Sequence, residues 1–211
     1  MLFQELIDEN PMTPPESDDD LLVAATSGSE EAFLALYGRR QGAIYRFALH
    51  MSGSPAVAED ITQEVFLALL RGGWGYDPER GTLSGYLFGI ARKLLLRQVE
   101  RVHADVPLDE ELVETLELAA VKDPLEDLTQ RERVAALRRA VLTLPRRYRE
   151  VVVLCDLEEM DYADAATLLD CPIGTVRSRL HRARVLLLEK LEYERQPRVS
   201  IRALKPARCF V

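Results

Sequence analysis

The segment spanning residues 161–191, DYADAATLLDCPIGTVRSRLHRARVLLLEKL, constrains the fold more than any other part of the chain. Asp161 is a favourable N-cap for a short first helix, whose alanines are small enough to let a second helix pack closely. Pro172 and Gly174 mark a turn between the two helices. The segment therefore predicts a helix-turn-helix with a strongly basic second helix, a motif that enters the major groove of DNA.

The second helix of this motif separates into an apolar face and a polar face. Its apolar side chains recur at helical spacing and are expected to face the interior of the domain, namely Val176, Leu180, Ala183 and Leu187. The polar face suits a DNA duplex, because arginine forks reach guanine edges or phosphates and serine or histidine can bond to either. A threonine at the helix N-terminus can contact a phosphate together with the exposed amides. The candidate DNA-binding residues are Thr175, Arg177, Ser178, His181 and Arg182. On composition alone, a surface helix with a solvated basic face is the alternative.

Charge is segregated along the chain. The 211 residues carry a net charge of −8, yet residues 172–211 hold ten Lys and Arg against three Glu. Residues 102–128 have the opposite character, with nine acidic residues against Lys122. A polyanion such as DNA is therefore expected to dock at the C-terminal end.

Several functional classes lack support in the sequence. No apolar stretch approaches the roughly 20 residues that span a bilayer, and the acidic start is unlike a signal peptide, so we expect a cytoplasmic protein without direct membrane insertion. Cys155, Cys171 and Cys209 form no C-x-x-C pair, so their spacing suggests neither a disulfide framework nor a zinc site. The chain has no P-loop, no H-E-x-x-H and no G-x-S-x-G motif. We therefore expect no enzyme activity, no cofactor and no metal.

Helical periodicity runs through almost the whole chain, and no alternating strand pattern of useful length is present. The prediction is an all-α protein of two small helical domains joined by an acidic linker, the second domain ending in the helix-turn-helix. The predicted segments are a loose acidic N-terminal segment (1–20), a first domain (21–101), the linker (102–128), a second domain (129–195) and a flexible basic tail (196–211).

The first domain carries two polar features beside its apolar stripes. A helix that starts at the Ser54–Pro55 pair presents a ridge of four polar residues, Glu59, Asp60, Gln63 and Glu64. The loop GGWGYDPERG at residues 72–81 follows, and Thr82 or Ser84 then caps a basic helix that extends to about Arg101.

Blocks from both domains together resemble one protein family. They are AEDITQEVFLALL at residues 58–70, LPRRYREVVVL at residues 144–154 and GTVRSRLHRAR at residues 174–184. In this order, and separated by an acidic linker, they resemble a bacterial RNA polymerase sigma factor of the extracytoplasmic function (ECF) type. The resemblance covers about residues 21–101 and 129–192. It implies a subunit, not itself an enzyme, that binds RNA polymerase core and directs promoter-specific transcription initiation by recognising and melting promoter DNA.

The resemblance also implies partners. Asp60, Gln63 and Glu64 match the ridge that packs on the clamp helices of the polymerase's largest subunit, and polar side chains on a solid helix suit a separable interface. A solvated face with i,i+4 pairing is the alternative for this ridge. The flap of the polymerase and an anti-sigma factor are further implied partners. The acidic run at residues 109–117 could imitate RNA near the active site, or serve only as a solubilising linker.

The loop and the helix that follows it match the family's reader of the minus-ten element. Melting requires a site for a flipped base, and aromatic rings can stack on that base while basic side chains hold the phosphates. The implied minus-ten residues are Trp74, Tyr76, Tyr86, Arg92 and Lys93, although Trp74 and Tyr86 equally suit the core. The family usually has Trp, Asn and Asp at the positions that Tyr86, Lys93 and Arg97 occupy in this chain. The resemblance therefore does not indicate which base this chain reads at the minus-ten element.

The helix from Thr175 to Arg184 matches the family's reader of the minus-thirty-five element, with the same five candidate residues. A Gly commonly ends the preceding helix in the family, whereas this chain has Asp170. Asp adopts the left-handed conformation more readily than most residues, so the turn is expected to be kept.

An autonomous helix-turn-helix regulator that binds an operator as a dimer is the main rival interpretation. Such a protein would bind its duplex tightly and specifically without polymerase. The block at residues 58–70 argues against this interpretation, because it resembles a polymerase-binding helix, which an operator-binding dimer does not require.

Overall fold

The computed structural model describes residues 17–71, 75–103 and 128–195. Most of the predicted linker, the predicted tail, Trp74 and the acidic run at residues 109–117 lie outside the described residues. Within the described part of the chain all regular structure is helical and no strand occurs. The predicted all-α class is therefore confirmed.

The first domain is built from four helices. They are α1 (Asp18–Thr26), α2 (Glu30–Ser52), α3 (Pro55–Leu70) and α4 (Leu83–His103), with a short 3-10 helix at Pro78–Arg80 before α4. Contacts join α2 to each of the other three helices, so α2 is the central helix of the domain.

Hydroxyl side chains determine where these helices begin. The hydroxyls of Ser17, Ser29 and Ser54 each accept a hydrogen bond from a backbone amide in the first turn of the following helix. Thr82, rather than Ser84, caps α4, because its Oγ1 accepts from the Gly85 amide at 3.2 Å. Ser17 and Asp20 form a reciprocal capping box, which makes residues 18–20 the first turn of α1. Helix α1 therefore begins at Asp18, within the last residues of the predicted N-terminal segment.

The second domain also contains four helices in the described residues. They are α5 (Leu128–Leu142), α6 (Arg146–Val152), α7 (Tyr162–Leu168) and α8 (Ile173–Arg195), and a π-helical turn at Val153–Leu157 continues α6. Pro145 separates α5 from α6, as its missing amide proton and fixed φ lead us to expect. The last helix, α8, contacts α5, α6 and α7.

Apolar stripes predicted from helical spacing form the core. Leu36, Ile44, Phe47 and Ala48 of α2 are buried, and the Phe47 ring meets Phe88 of α4 edge-on at 5.3 Å between centroids. Along α8, all four residues expected to face the interior are buried, namely Val176, Leu180, Ala183 and Leu187. Phe33, Tyr37 and Leu94, which the periodicity also predicts to be buried, are half-buried at the edge of this core.

The two domains pack against each other, with α2 and α4 facing α5, α6 and α7. Glu150 of α6 is only 4% exposed and accepts hydrogen bonds from Arg92 of α4 at 3.0 Å and from Arg146 at 3.1 Å. At a second contact, the Arg46 guanidinium of α2 binds both carboxylate oxygens of Glu158, at 3.1 and 2.7 Å. Polar contacts thus hold the two domains together across their interface.

Arg149 adds a further connection between the domains. Its Nη1 donates to the backbone carbonyl of Met51 near the end of α2 at 2.8 Å, and its Nη2 donates to the carbonyls of Leu142 and Leu144 near the end of α5. These carbonyls lie where helices end and lack partners within their own helix. One buried guanidinium therefore caps the ends of two helices, one from each domain.

In the described residues, no helix combines the length and the apolar character that crossing a bilayer requires. The same residues contain no group of three or more His, Cys, Asp or Glu side chains placed to hold a metal ion.

Replacing Leu180 with Ala tests the core of the second domain. Leu180 is 2% exposed, so its truncation should lower the free energy of unfolding by about 2–5 kcal/mol. Leu188→Ala on the same helix is the matched control, because Leu188 is 61% exposed and its loss should change stability by no more than about 0.5 kcal/mol. Chemical denaturation of both variants measures this difference, and equal stabilities would contradict the packing described here.

Candidate nucleic-acid and polymerase interface

Helices α7 and α8 form the helix-turn-helix. The chain reverses at Asp170, whose φ of +50° lies in the left-handed region, and the Cys171 amide closes the turn on the Ala166 carbonyl at 3.0 Å. The expectation that Asp170 supports this turn is confirmed. Gly174, expected in the turn, instead lies in the first turn of α8. Asp161 occupies the N-cap position of α7, but its side chain makes no capping hydrogen bond.

The outer face of α8 brings most of the predicted minus-thirty-five residues together. Arg177, Ser178, His181 and Arg182 are all exposed, whereas Thr175 is half-buried. Ser178 Oγ donates to the Thr175 carbonyl at 3.0 Å, which holds this hydroxyl close to its own helix. The spacing of the four exposed residues places them on one side of α8, opposite the buried stripe. Two arginines, a histidine and a serine are therefore presented to solvent as a single polar surface.

Tyr148 of α6 borders this surface, and the sequence analysis missed it. A hydrogen bond from the Arg182 side chain is the main reason that the pKa of Tyr148 is lowered. The Arg147 guanidinium lies 4.9 Å from the centroid of the Tyr148 ring, within cation–π range. Tyr148 thus links Arg182 of α8 to Arg147 of α6. The sequence signal was an aromatic residue among arginines, since Tyr148 lies in the run RRYR at residues 146–149.

Arg184 of α8 is exposed as well, but it is engaged in an ion pair. Its guanidinium binds both carboxylate oxygens of Asp156 at 3.1 and 2.6 Å, and this pairing raises the pKa of Arg184. Bidentate arginine–carboxylate pairs have a fixed geometry. The pair therefore orients α8 against the π-helical turn.

The polar ridge of α3 lies on the side opposite to the core. Asp60, Gln63 and Glu64 are exposed, while Ile61 and Val65 are buried. Two apolar side chains that the sequence analysis left out are exposed on α3, with Leu67 at 40% and Leu70 at 44%. Their spacing from Gln63 extends the ridge toward the end of the helix. This helix thus presents a surface with both polar and apolar character.

The loop before α4 places two of the predicted minus-ten tyrosines together. The rings of Tyr76 and Tyr86 lie 5.3 Å apart between centroids, at an interplanar angle of 47°. The Tyr76 hydroxyl donates to Asp19 Oδ1 at 2.7 Å and lies 3.3 Å from the Gly81 carbonyl. Burial and this hydrogen bond to Asp19 raise the pKa of Tyr76 to about 12, and burial raises that of Tyr86. Both hydroxyls are therefore protonated at neutral pH.

The two basic minus-ten candidates on α4 lie on different sides of the helix. Lys93 is exposed and follows Tyr86 by seven residues, so it lies on nearly the same face, about 10 Å further along the helix. Arg92 is rotated away from that face and binds Glu150 of the second domain. The structure thus groups Tyr76, Tyr86 and Lys93, and it separates Arg92 from them.

Burial makes Cys155 unreactive. The thiol is half-buried, and loss of hydration together with the nearby Asp156 carboxylate raises its pKa to about 11. The thiolate is the nucleophilic form of cysteine. Cys155 is therefore a structural thiol at neutral pH.

Two family models match the chain, one in each domain. Sigma-70 region 2 matches residues 36–103 and sigma-70 region 4 matches residues 134–187. The first match contains α3 and α4, and the second contains the helix-turn-helix.

Relatives of known identity match over most of the chain. The ECF RNA polymerase sigma factor SigE of Mycolicibacterium smegmatis is 32% identical over 194 residues, covering 90% of this chain and 74% of the relative. The sigma factor SigW of Bacillus subtilis is 29% identical over 171 residues, covering 78% of this chain and 91% of the relative.

Solved structures show the same fold. The sigma factor RpoE in complex with the anti-sigma factor NepR from Bartonella quintana aligns with a TM-score of 0.61 at 26% identity, covering 78% of this chain and 99% of that chain. CnrH in complex with the cytosolic domain of CnrY aligns with a TM-score of 0.63 at 23% identity, covering 85% and 99%. The family resemblance of the sequence is thus confirmed, and the chain belongs to the ECF RNA polymerase sigma factors, which are non-enzymatic transcription initiation factors.

Proposed function

We propose that this sigma factor divides promoter recognition between its domains, the second reading duplex DNA and the first capturing a melted strand. The observation that carries the proposal is the exposed group Arg177, Ser178, His181 and Arg182, supported from behind by the buried stripe of α8. A rigid helix that presents two arginines on one side suits the major groove of the minus-thirty-five element. Phosphate contacts from the neighbouring basic side chains would set the register of the helix.

The first domain supplies the site for the minus-ten element. Tyr76 and Tyr86 offer aromatic surface on which a flipped base can stack, and Lys93 lies along the same helix face to hold a phosphate. Trp74 lies two positions before Tyr76 in the sequence and is a candidate for the same task. Melting is then driven by capture of one strand, because stacking compensates for the lost pairing of the extruded base.

The polymerase core is the proposed partner of α3. Asp60, Gln63 and Glu64 would contact the clamp helices of the largest subunit, and the exposed Leu67 and Leu70 would add apolar area to that contact. Mixed polar and apolar surfaces are typical of interfaces that form and separate. The second domain would meet the flap, for which the exposed Val185 and Leu188 of α8 offer an apolar surface.

Promoter binding requires the two domains to separate. The two elements lie about 25 base pairs apart, or about 85 Å along B-DNA at about 3.4 Å per base pair. A packed body of about 150 residues has a radius of gyration of only about 15 Å. Residues 104–127 can extend to about 80 Å, at about 3.3 Å per residue, which is enough to let the domains reach both elements.

Opening would also release a DNA-binding residue. In the packed arrangement, Glu150 neutralises Arg92. Separation of α4 from α6 would free the Arg92 guanidinium for the phosphates of the captured strand, as its place among the minus-ten candidates requires. The packed arrangement and the promoter-bound arrangement therefore compete for the same side chain.

An anti-sigma factor is the proposed regulator. Support comes from the sigma factor RpoE of Bartonella quintana, whose solved structure is a complex with the anti-sigma factor NepR. An inhibitor that covers α3 or holds the two domains together would prevent both polymerase binding and promoter binding.

Transcription with purified polymerase core tests the proposed function directly. Run-off transcription over a promoter library should yield sequence-specific initiation only when the protein and core are both present, because each module alone binds weakly and gains from linkage. The protein alone should bind promoter duplexes weakly. An operator-like duplex that the protein binds tightly without core, combined with no initiation, would favour the rival interpretation of an autonomous regulator.

Arg182 variants distinguish a base contact from a phosphate contact. If Arg182 reads a base edge with its fork, Arg182→Ala should cost about 1–3 kcal/mol on the matched promoter and relax discrimination at one position. Arg182→Lys keeps the charge but loses the fork, so it should fail to restore discrimination. Binding of holoenzyme to matched and mismatched duplexes measures this. Equal losses on all sequences, restored by Lys, would instead assign Arg182 to a phosphate.

Substitutions on α3 test the polymerase contact. Gln63→Ala combined with Leu67→Ala should weaken association with core at least several-fold, because both side chains are exposed on the proposed contact face. The thermal stability of the free protein should change little, since neither side chain is buried. Ala35→Ser on an exposed position of α2 is the control. Unchanged affinity for core in the double variant would contradict this assignment.

A further inference from the structure

The loop before α4 is tied to α1, the first helix of the described residues, through a side-chain hydrogen bond. The Tyr76 hydroxyl donates to Asp19 Oδ1 at 2.7 Å, which spans 57 positions of sequence. The alternative acceptor, the Gly81 carbonyl, is more distant at 3.3 Å. Asp19 is therefore the principal partner of the one loop tyrosine whose ring contacts Tyr86.

Helix α1, which carries Asp19, is held in place by buried side chains and by ion pairs. Leu21, Leu22 and Ala25 of α1 are buried in the core of the first domain. The neighbouring Asp18 forms ion pairs with Arg39, at 3.3 Å, and with Arg40 of α2. The packing of α1 thus holds the backbone of Asp19, whose exposed side chain reaches Tyr76 in the segment between α3 and α4.

The loop itself does little to orient the Tyr76 side chain. Gly75, immediately before it, has a φ of +62° in the left-handed region. The 3-10 helix that follows is a single short turn, which the Asp77 side chain caps through the Glu79 amide at 3.0 Å. An anchor on the tyrosine hydroxyl is an effective way to restrict where the ring lies, because it acts at the end of the side chain furthest from the backbone.

We infer that Asp19 is a positioning residue for strand capture, which holds the Tyr76 ring beside Tyr86 so that an extruded base can stack there. The inference rests on the proposed function of the two tyrosines. Asp19 acts through Tyr76 and does not bind the DNA, because a carboxylate repels phosphates. Its contribution is therefore to preorganise an aromatic surface that otherwise samples several orientations.

The test uses holoenzyme assembled from core and the full chain, with a fluorescent single-stranded oligonucleotide of the non-template minus-ten sequence as the probe. Asp19→Ala and Tyr76→Phe each remove the hydrogen bond while keeping the Tyr76 ring, so each should weaken binding about two- to tenfold. The double variant should bind no more weakly than the weaker single variant, because both changes remove the same interaction. Asp19→Asn retains an acceptor oxygen and has the same net charge as Asp19→Ala, so it should bind like wild type.

An abasic scan of the oligonucleotide separates positioning from general structural damage. In wild type, one abasic position should cause a large loss of binding, and at that position Asp19→Ala should add little further loss. Equal weakening of every oligonucleotide by Asp19→Ala, or identical behaviour of Asp19→Asn and Asp19→Ala, would overturn the inference. Wild-type levels of binding by both Asp19→Ala and Tyr76→Phe would overturn it too, while leaving strand capture by the first domain intact. If wild-type holoenzyme showed no base-dependent capture at any position, both the inference and the proposed minus-ten function would fail.

Discussion

The buried carboxylate of Glu150 is the interaction on which the arrangement of the two domains depends. Glu150 lies on α6, is 4% exposed and accepts from Arg92 of the first domain and Arg146 of its own helix. A charge removed from water is tolerated only when it is paired and hydrogen-bonded. Arg92 of the first domain therefore supplies a partner that the buried Glu150 carboxylate of the second domain needs. The same pair places α4 beside the domain that carries α8.

Such an interface suits the proposed separation of the two domains on a promoter. When a buried ion pair is opened, each charge regains its hydration, so the net cost of separation is much smaller than the attraction between the charges alone. Arg46 and Glu158 behave similarly at the second contact, where the arginine is already 55% exposed. The buried apolar residues of the two domains belong to one cluster, so separation also exposes hydrophobic area to water and costs free energy. Polar pairing therefore limits the cost of opening these two contacts, which suits the proposed extension of the protein along a promoter.

Local features of the chain were predictable from the sequence, whereas contacts between distant segments were not. The buried stripe of α8, the serine caps of α2 and α3 and the turn at Asp170 follow from spacing and from the conformational preferences of single residues. Gly174 was misplaced because glycine tolerates the first turn of a helix as well as a reverse turn. The pairing of Arg92 with Glu150 and of Tyr76 with Asp19 could not be read from the sequence, since each depends on how helices pack across 58 and 57 positions. As a result, the sequence indicated the exposed residues of α3 and of α8, but it gave no indication of the side-chain contacts that Asp19 and Tyr148 make.

The distance between the two domains tests the central claim most directly. Donor and acceptor dyes can be placed on exposed positions of each domain, for example at Leu34 of α2 and Glu189 of α8, with energy transfer measured in the free protein and in a holoenzyme bound to a promoter. The account predicts high transfer in the free protein and a large decrease in the promoter complex. High transfer that persists in a complex active in transcription would contradict the account, because transcription would then proceed without separation of the two domains.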